Sequence, residues 1–154
     1  MYSKHHAAIS FVVSAALAYA LGPFSIGGIV VPAPLIVLYG TALGVLIDLD
    51  HLVIARARTG TWDAVRFCLR HPRAAVADQS RIFDRGDVGV LPRLVSHLVI
   101  VGVVIPTTFL ASVPLGILTA AVLYLHLLAD VVWNVYQARR HRHLPAREQL
   151  RRIV

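Results

Sequence analysis

The chain has 154 residues, enough for one domain, of which 57% are apolar and 15% charged, with a mean hydropathy of +0.69. Soluble domains carry about 25% charged residues, so these values argue against a soluble globular domain and exclude disorder, collagen and a coiled coil. The lone Cys68 excludes an internal disulfide framework and a cysteine-built zinc cluster, and a net charge of +7 in so apolar a chain reports membrane topology rather than nucleic acid, which is not an expected partner.

A membrane helix needs roughly 20 mostly apolar residues. Four stretches meet this requirement, at about residues 5–22, 26–48, 94–113 and 115–136. Gly27, Gly28, Pro32 and Pro34 lie near the start of the second, and Pro106 lies inside the third. The predicted fold class is all-α, a polytopic membrane protein. Four transmembrane helices occupy residues 1–136, with a cytoplasmic helical loop at 52–93 and a basic cytoplasmic tail at 137–154. The first span does not read as a cleaved signal peptide, because its polar start carries only Lys4.

Charge fixes the orientation. The connection at residues 21–25 and the one at 112–114 carry no charge. Every Lys and Arg therefore falls before span one, between spans two and three, or after span four. The positive-inside rule makes that side cytoplasmic, with both termini inside the cell (inner or plasma) membrane. Within the 52–93 loop, Trp62, Val65 and Leu69 recur on one side of a short helix at about 61–70, while Arg66 and Arg70 face elsewhere. Thr61 is its expected cap and His71-Pro72 its end. This pattern suits an interfacial helix on anionic headgroups. A second short helix is expected at about 74–83, followed by a turn at Gly86 and Gly89. The basic run at 139–143 suits lipid phosphates or serves as a topology signal only.

Ionisable residues within membrane segments are costly and mark function. His5 and His6 open span one, and Asp48, Asp50 and His51 close span two. His97 lies about 6 Å inside span three, and His126 and Asp130 lie near the end of span four. The topology puts all of them at the inner end of the bundle. His126 and Asp130 are i, i+4 and share a face, as do Asp48 and His51 at i, i+3. Asp50 points roughly 100° away from His51. Mixed imidazole and carboxylate sets suit a divalent metal, zinc first, with manganese or iron as alternatives. The spans hold no Lys or Arg to neutralise these carboxylates, and a bound cation does so. The predicted metal ligands are His6, Asp48, His51, His97, His126 and Asp130. Asp50 is read as a general base or as a partner that orients a ligand, and Arg93, with Arg56, as a phosphate holder. Each residue alone also has a plain reading: a packing histidine, a solvated terminus, or a helix end in the interface. Ser-His-Asp catalysis through Ser10 or Ser96 lacks a nucleophile elbow.

Four stretches carry a family likeness: Lys4-His5-His6, Gly44-Val45-Leu46-Ile47-Asp48-Leu49-Asp50-His51, Arg93-Leu94-Val95-Ser96-His97, and His126-Leu127-Leu128-Ala129-Asp130. In this order they resemble the membrane-bound, metal-dependent hydrolases described as LexA-binding and inner-membrane-associated. The Asp-x-Asp-His block is the specific part. The His-x-x-x-Asp helix is more distantly similar to that of zinc-dependent phospholipase C and related nucleases. The resemblance implies a helical membrane domain, a divalent metal and phosphoester hydrolysis. The chain departs from the family at Pro92-Arg93-Leu94, where His-Arg-Gly is usual, and at Trp133, where a small polar residue is usual.

The function expected from these readings is metal-dependent hydrolysis of a phosphoester or lipid phosphate at the cytoplasmic face. The expected partners are the bilayer, a lipid substrate, and a protein partner or second copy. The competing expectation is a non-catalytic subunit of a larger complex with a vestigial metal site. A haem or ion carrier fits less well, because the outer half of the bundle offers only hydroxyl residues.

Overall fold

The computed structural model describes residues 3–73, 81–84 and 86–140. Helix α1 spans Ser3–Leu21. A hairpin of β1 (Phe24–Ile26) and β2 (Ile29–Val31) leads into α2 (Ala33–Leu46). A 3-10 turn at Ile47–Leu49 continues directly into α3 (Asp50–Thr59), and the short α4 follows at Asp63–Arg70. Two long helices close the bundle, α5 (Val90–Ala111) and α6 (Val113–Arg140).

Three of these helical runs are long and apolar enough to cross a membrane: 27 residues at Ala33–Thr59, 22 at Val90–Ala111 and 28 at Val113–Arg140. Their length and composition suit a membrane protein. Helix α1 has 19 residues but falls short in apolarity, because Lys4, His5 and His6 begin it.

The second span differs from its expected bounds of 26–48. Its first residues form the hairpin, and its helix starts at Ala33 and runs on to Thr59. The turn explains the difference. Gly27 and Gly28 have φ of 58° and 85°, the conformation of a two-residue primed hairpin turn, and Ile26 pairs with Ile29 across it. The β-branched Ile29, Val30 and Val31 then suit a strand, and Pro32 caps the helix that follows. The all-α expectation holds, with one small β-hairpin added between α1 and α2. Spans three and four also begin earlier, at Val90 and Val113, and span four runs on to Arg140.

The loop after span two is correspondingly shorter, because α3 takes up residues 50–59. Gly60 ends α3 in the left-handed conformation at φ 75°. Helix α4 starts at Asp63 with Trp62 at its cap, so Thr61 lies one residue outside. The Thr61 hydroxyl only just reaches the Asp63 N–H, at 3.5 Å. The helix expected at 74–83 falls mainly on residues outside the described set, as does the tail beyond Arg140. The turn before α5 is present, with Gly86 at φ 102° and the Asp87 N–H bonded to the Asp84 carbonyl.

Close helix packing has a specific cause. The buried face of α1 is Ser3, His6, Ser10, Ser14 and Ala18, a stripe of small and polar residues. Ser14 sits over Gly40 and Ser10 over Gly44. A methyl carbon added at these glycines would come within 2.9 Å of the Ser14 Cβ and 2.7 Å of the Ser10 Cβ. Small residues four apart on facing helices let the backbones approach, as membrane helices require. Beyond this seam, Ala18, Phe24, Ile36, Leu118 and Val122 form an apolar core at the hairpin end. Tyr39 and Thr119 share a hydroxyl hydrogen bond of 2.9 Å near it.

Helix α5 packs differently. Its one buried residue among 22 is His97, whereas α6 buries seven of its 28. Pro106 removes a backbone donor, and Thr107 and Thr108 turn their hydroxyls back onto the carbonyls of Val103, Val104 and Ile105. Ser112 alone joins α5 to α6, and Gly116 leaves room for the Phe109 ring across that junction.

The seam predicts that Gly40→Leu lowers stability by about 1–3 kcal/mol through overpacking. Gly102→Ala, where an added carbon meets nothing, should stay within about 0.5 kcal/mol of wild type. Thermal unfolding followed by circular dichroism in detergent micelles checks both.

Candidate metal centre

The end of the bundle opposite the hairpin holds a buried polar cluster. Helix α1 enters it with His6, one turn from its start. The 3-10 turn and the first residues of α3 contribute Asp48, Asp50 and His51. Helix α5 contributes Arg93 and His97, and α6 contributes His126 and Asp130. All eight residues predicted from the sequence therefore meet in one place. His6, His97, His126 and Asp130 are at most 1% exposed, and Asp48 and His51 are 7% and 8% exposed. His5 is exposed and outside the cluster, and Arg56 lies over the Trp62 ring at 5.5 Å.

The hydrogen bonds assign the imidazole protons. His126 Nδ1 is 2.9 Å from the Gly44 carbonyl, which can only accept, so Nδ1 carries the proton. His97 Nδ1 donates in the same way to Asp50 Oδ2 at 2.8 Å. In the neutral rings both Nε2 atoms then present lone pairs, and they face each other at 3.2 Å. Asp48 Oδ1 points at the same spot, 3.3 Å from His97 Nε2 and 3.4 Å from His126 Nε2. Asp130 Oδ2 stands 3.9 Å from each of those nitrogens.

Lone pairs converging in an apolar bundle repel unless something positive lies among them. A proton on one imidazole relieves one contact, whereas a divalent ion relieves the whole set at once. Further atoms await a partner. His6 is 1% exposed, yet neither of its ring nitrogens has a hydrogen bond, and its Nε2 is 3.3 Å from Asp130 Oδ1. Asp48 Oδ2 and His51 Nε2 likewise have none. The donor set suits zinc, manganese or iron. The paired Nδ1–H bonds hold each ring by its far nitrogen, as metal-binding histidines are commonly held.

Asp50 acts through His97. Helix geometry alone would turn Asp50 away from His51, but its Oδ1 stands 3.7 Å from His51 Nε2 while its Oδ2 meets the α5 histidine across the bundle. Arg93 Nε is 3.4 Å from Asp130 Oδ2, and its Nη2 donates to Asn134 Oδ1 at 3.0 Å. Because α5 begins at Val90, Arg93 lies inside the span and braces one carboxylate of the cluster, which corrects the expectation that the spans hold no Arg to neutralise them. Sequence reasoning missed two contributors. Asn134 is one turn beyond Asp130, so its i+4 spacing was the available signal. The Gly44 carbonyl is a backbone atom, and no side-chain pattern points to it.

No family model, curated protein or solved structure matches this chain. What the cluster can do rests on its own chemistry.

Chelator treatment is expected to lower the unfolding temperature and added zinc or manganese to restore it. At a hundredfold excess over the dissociation constant, the gain is about 2.7 kcal/mol. Asp50→Ala should weaken metal affinity by about 10–100-fold through a loosened His97, with helical content unchanged. Competition against a chromophoric chelator reads that affinity.

Proposed function

We propose that this chain is a membrane-embedded, metal-dependent hydrolase that cleaves phosphoesters of lipid-type substrates at the cytoplasmic face of the cell membrane. One observation carries the reading: imidazole and carboxylate donors from α1, the α2–α3 junction, α5 and α6 converge with their lone pairs inward. His6, Asp48, His51, His97, His126 and Asp130 would hold the metal. A divalent ion in such a set polarises a phosphoryl oxygen and makes water a competent nucleophile near neutral pH. Asp50 holds the His97 ring in place. Arg93 keeps Asp130 directed inward and offers positive charge at 15% side-chain exposure. The likeness to LexA-binding, inner-membrane-associated hydrolases supports the same reaction class.

The lipid assignment has local support. An apolar groove of about 340 Å³ lies between α1 and α6, lined by Ile9, Ala129, Val132, Trp133 and Tyr136. Ile9 is one turn from His6, and Ala129 adjoins Asp130, so a chain in the groove would bring its headgroup toward the cluster. In this reading α1 is the fourth crossing, paired with α2 along the Ser10 and Ser14 seam. Lys4, Arg56, Arg58, Arg93, Arg139 and Arg140 all fall at the cluster end, which the positive-inside rule makes cytoplasmic. Helix α4, with Arg66 and Arg70 exposed beside Trp62 and Leu69, lies on anionic headgroups.

Purified protein in micelles should release phosphate from a short-chain phosphatidic acid when zinc or manganese is supplied. Chelation or Asp130→Ala should bring the rate to background. Bound metal without turnover on phosphomonoester or phosphodiester lipids would instead identify a non-catalytic membrane subunit. Reporters fused at the two ends of the chain should read cytoplasmic, and one inserted between Gly27 and Gly28 should read the other side.

A further inference from the structure

We propose that the cluster takes two divalent ions of unequal hold, with Asp48 as the carboxylate common to both; this rests on the metal-centre reading above. The donors divide into two sets. His6, Asp48, His126 and Asp130 form one, and Asp48, His51 and His97 form the other, with the ligand atoms of each set all within 4.8 Å of one another. The imidazoles divide in the same way. His6 stacks on His126 at 3.8 Å, and His51 stacks on His97 at 5.4 Å with the rings 7° from parallel. Asp48 belongs to both sets.

The position of Asp48 suits a bridge. Its Oδ1 is 3.3 Å from His97 Nε2, 3.4 Å from His126 Nε2 and 3.5 Å from His51 Nε2. Its Oδ2 is buried without a hydrogen bond. A carboxylate that serves one ion needs only one such oxygen, and the second oxygen would then be expected to find a donor. Here it has none, while a third imidazole, His51, stands near the same carboxylate with its Nε2 also unbonded.

The two sets differ in completeness. The first offers four protein donors, the number that closes a tetrahedral site. The second offers three within that distance, with the unbonded Asp50 Oδ1 standing off at 3.7 Å from His51 Nε2, and so leaves coordination open, as in sites that admit water or substrate. His51 is also the most exposed of the six residues, at 8%, and the edge of Phe83 is its neighbour at 6.2 Å between ring centres. The first set therefore holds its ion tightly, and the second exchanges.

The test uses the full chain in micelles, stripped by chelator and titrated with manganese alone. Calorimetry and elemental analysis should count two equivalents per chain, with affinities at least about 10-fold apart. The manganese electron paramagnetic resonance signal should grow with the first equivalent and fail to double with the second, because ions sharing a carboxylate are magnetically coupled. His51→Ala should lose the weaker equivalent and keep the tighter one, and His6→Ala should loosen the tighter one. A single equivalent in the wild-type chain, or two equivalents with additive signals, overturns the proposal without touching the metal-centre reading. Absence of any bound metal overturns both. The wild-type count and signal need no variant to fold.

Discussion

His97 and His126 turn their Nε2 atoms toward each other while their Nδ1 protons are already committed to Asp50 and to the Gly44 carbonyl. That arrangement governs the rest of the structure. Two lone pairs and a carboxylate oxygen at 3.2–3.4 Å require a positive charge among them. Helix α5 depends on it most, because His97 is the only buried residue among its 22. Along the rest of its length the helix packs on α6 through half-buried apolar residues such as Val101, Val104 and Ile105.

The bundle divides its interior by polarity along its length. At the hairpin end, Phe24, Ile36, Leu118 and Val122 make an ordinary apolar core. At the other end the core is imidazole and carboxylate. Between them, Ser10 and Ser14 against Gly44 and Gly40 allow α1 to lie close on α2. This close approach serves the cluster directly. It brings His6 of α1 within 3.8 Å of the His126 ring, and it leaves the Gly44 carbonyl facing His126. A larger residue on the seam would push α1 outward and open the cluster from that side.

The placement of charge is consistent with a centre that works at a membrane surface. The cluster lies at the end where Arg93 reaches Asp130. Arg93 faces two ways in this scheme, bracing Asp130 and Asn134 while keeping part of its guanidinium exposed. An anionic headgroup approaching that end would meet positive charge before it met the donors. Cys68 of α4 is half-buried, and burial pushes its thiol up.

Much of this was legible from the order of residues. Apolar runs of about 20 residues and one-sided Arg placement follow from the cost of burying backbone and charge in lipid, which acts on sequence directly. The i, i+3 and i, i+4 spacings put His and Asp on shared helix faces, so their meeting at one end of the bundle could be read from topology. The hairpin was misread because Ile26 to Val31 is apolar enough to pass as helix. Only the paired positive φ values of Gly27 and Gly28 separate the two conformations. Proton assignment, the partner of Asp50, the Gly44 acceptor and the division of donors around Asp48 came from tertiary structure alone. These depend on atoms of different helices lying within 3 or 4 Å, and spacing along a chain records which face a residue occupies but not what stands opposite it.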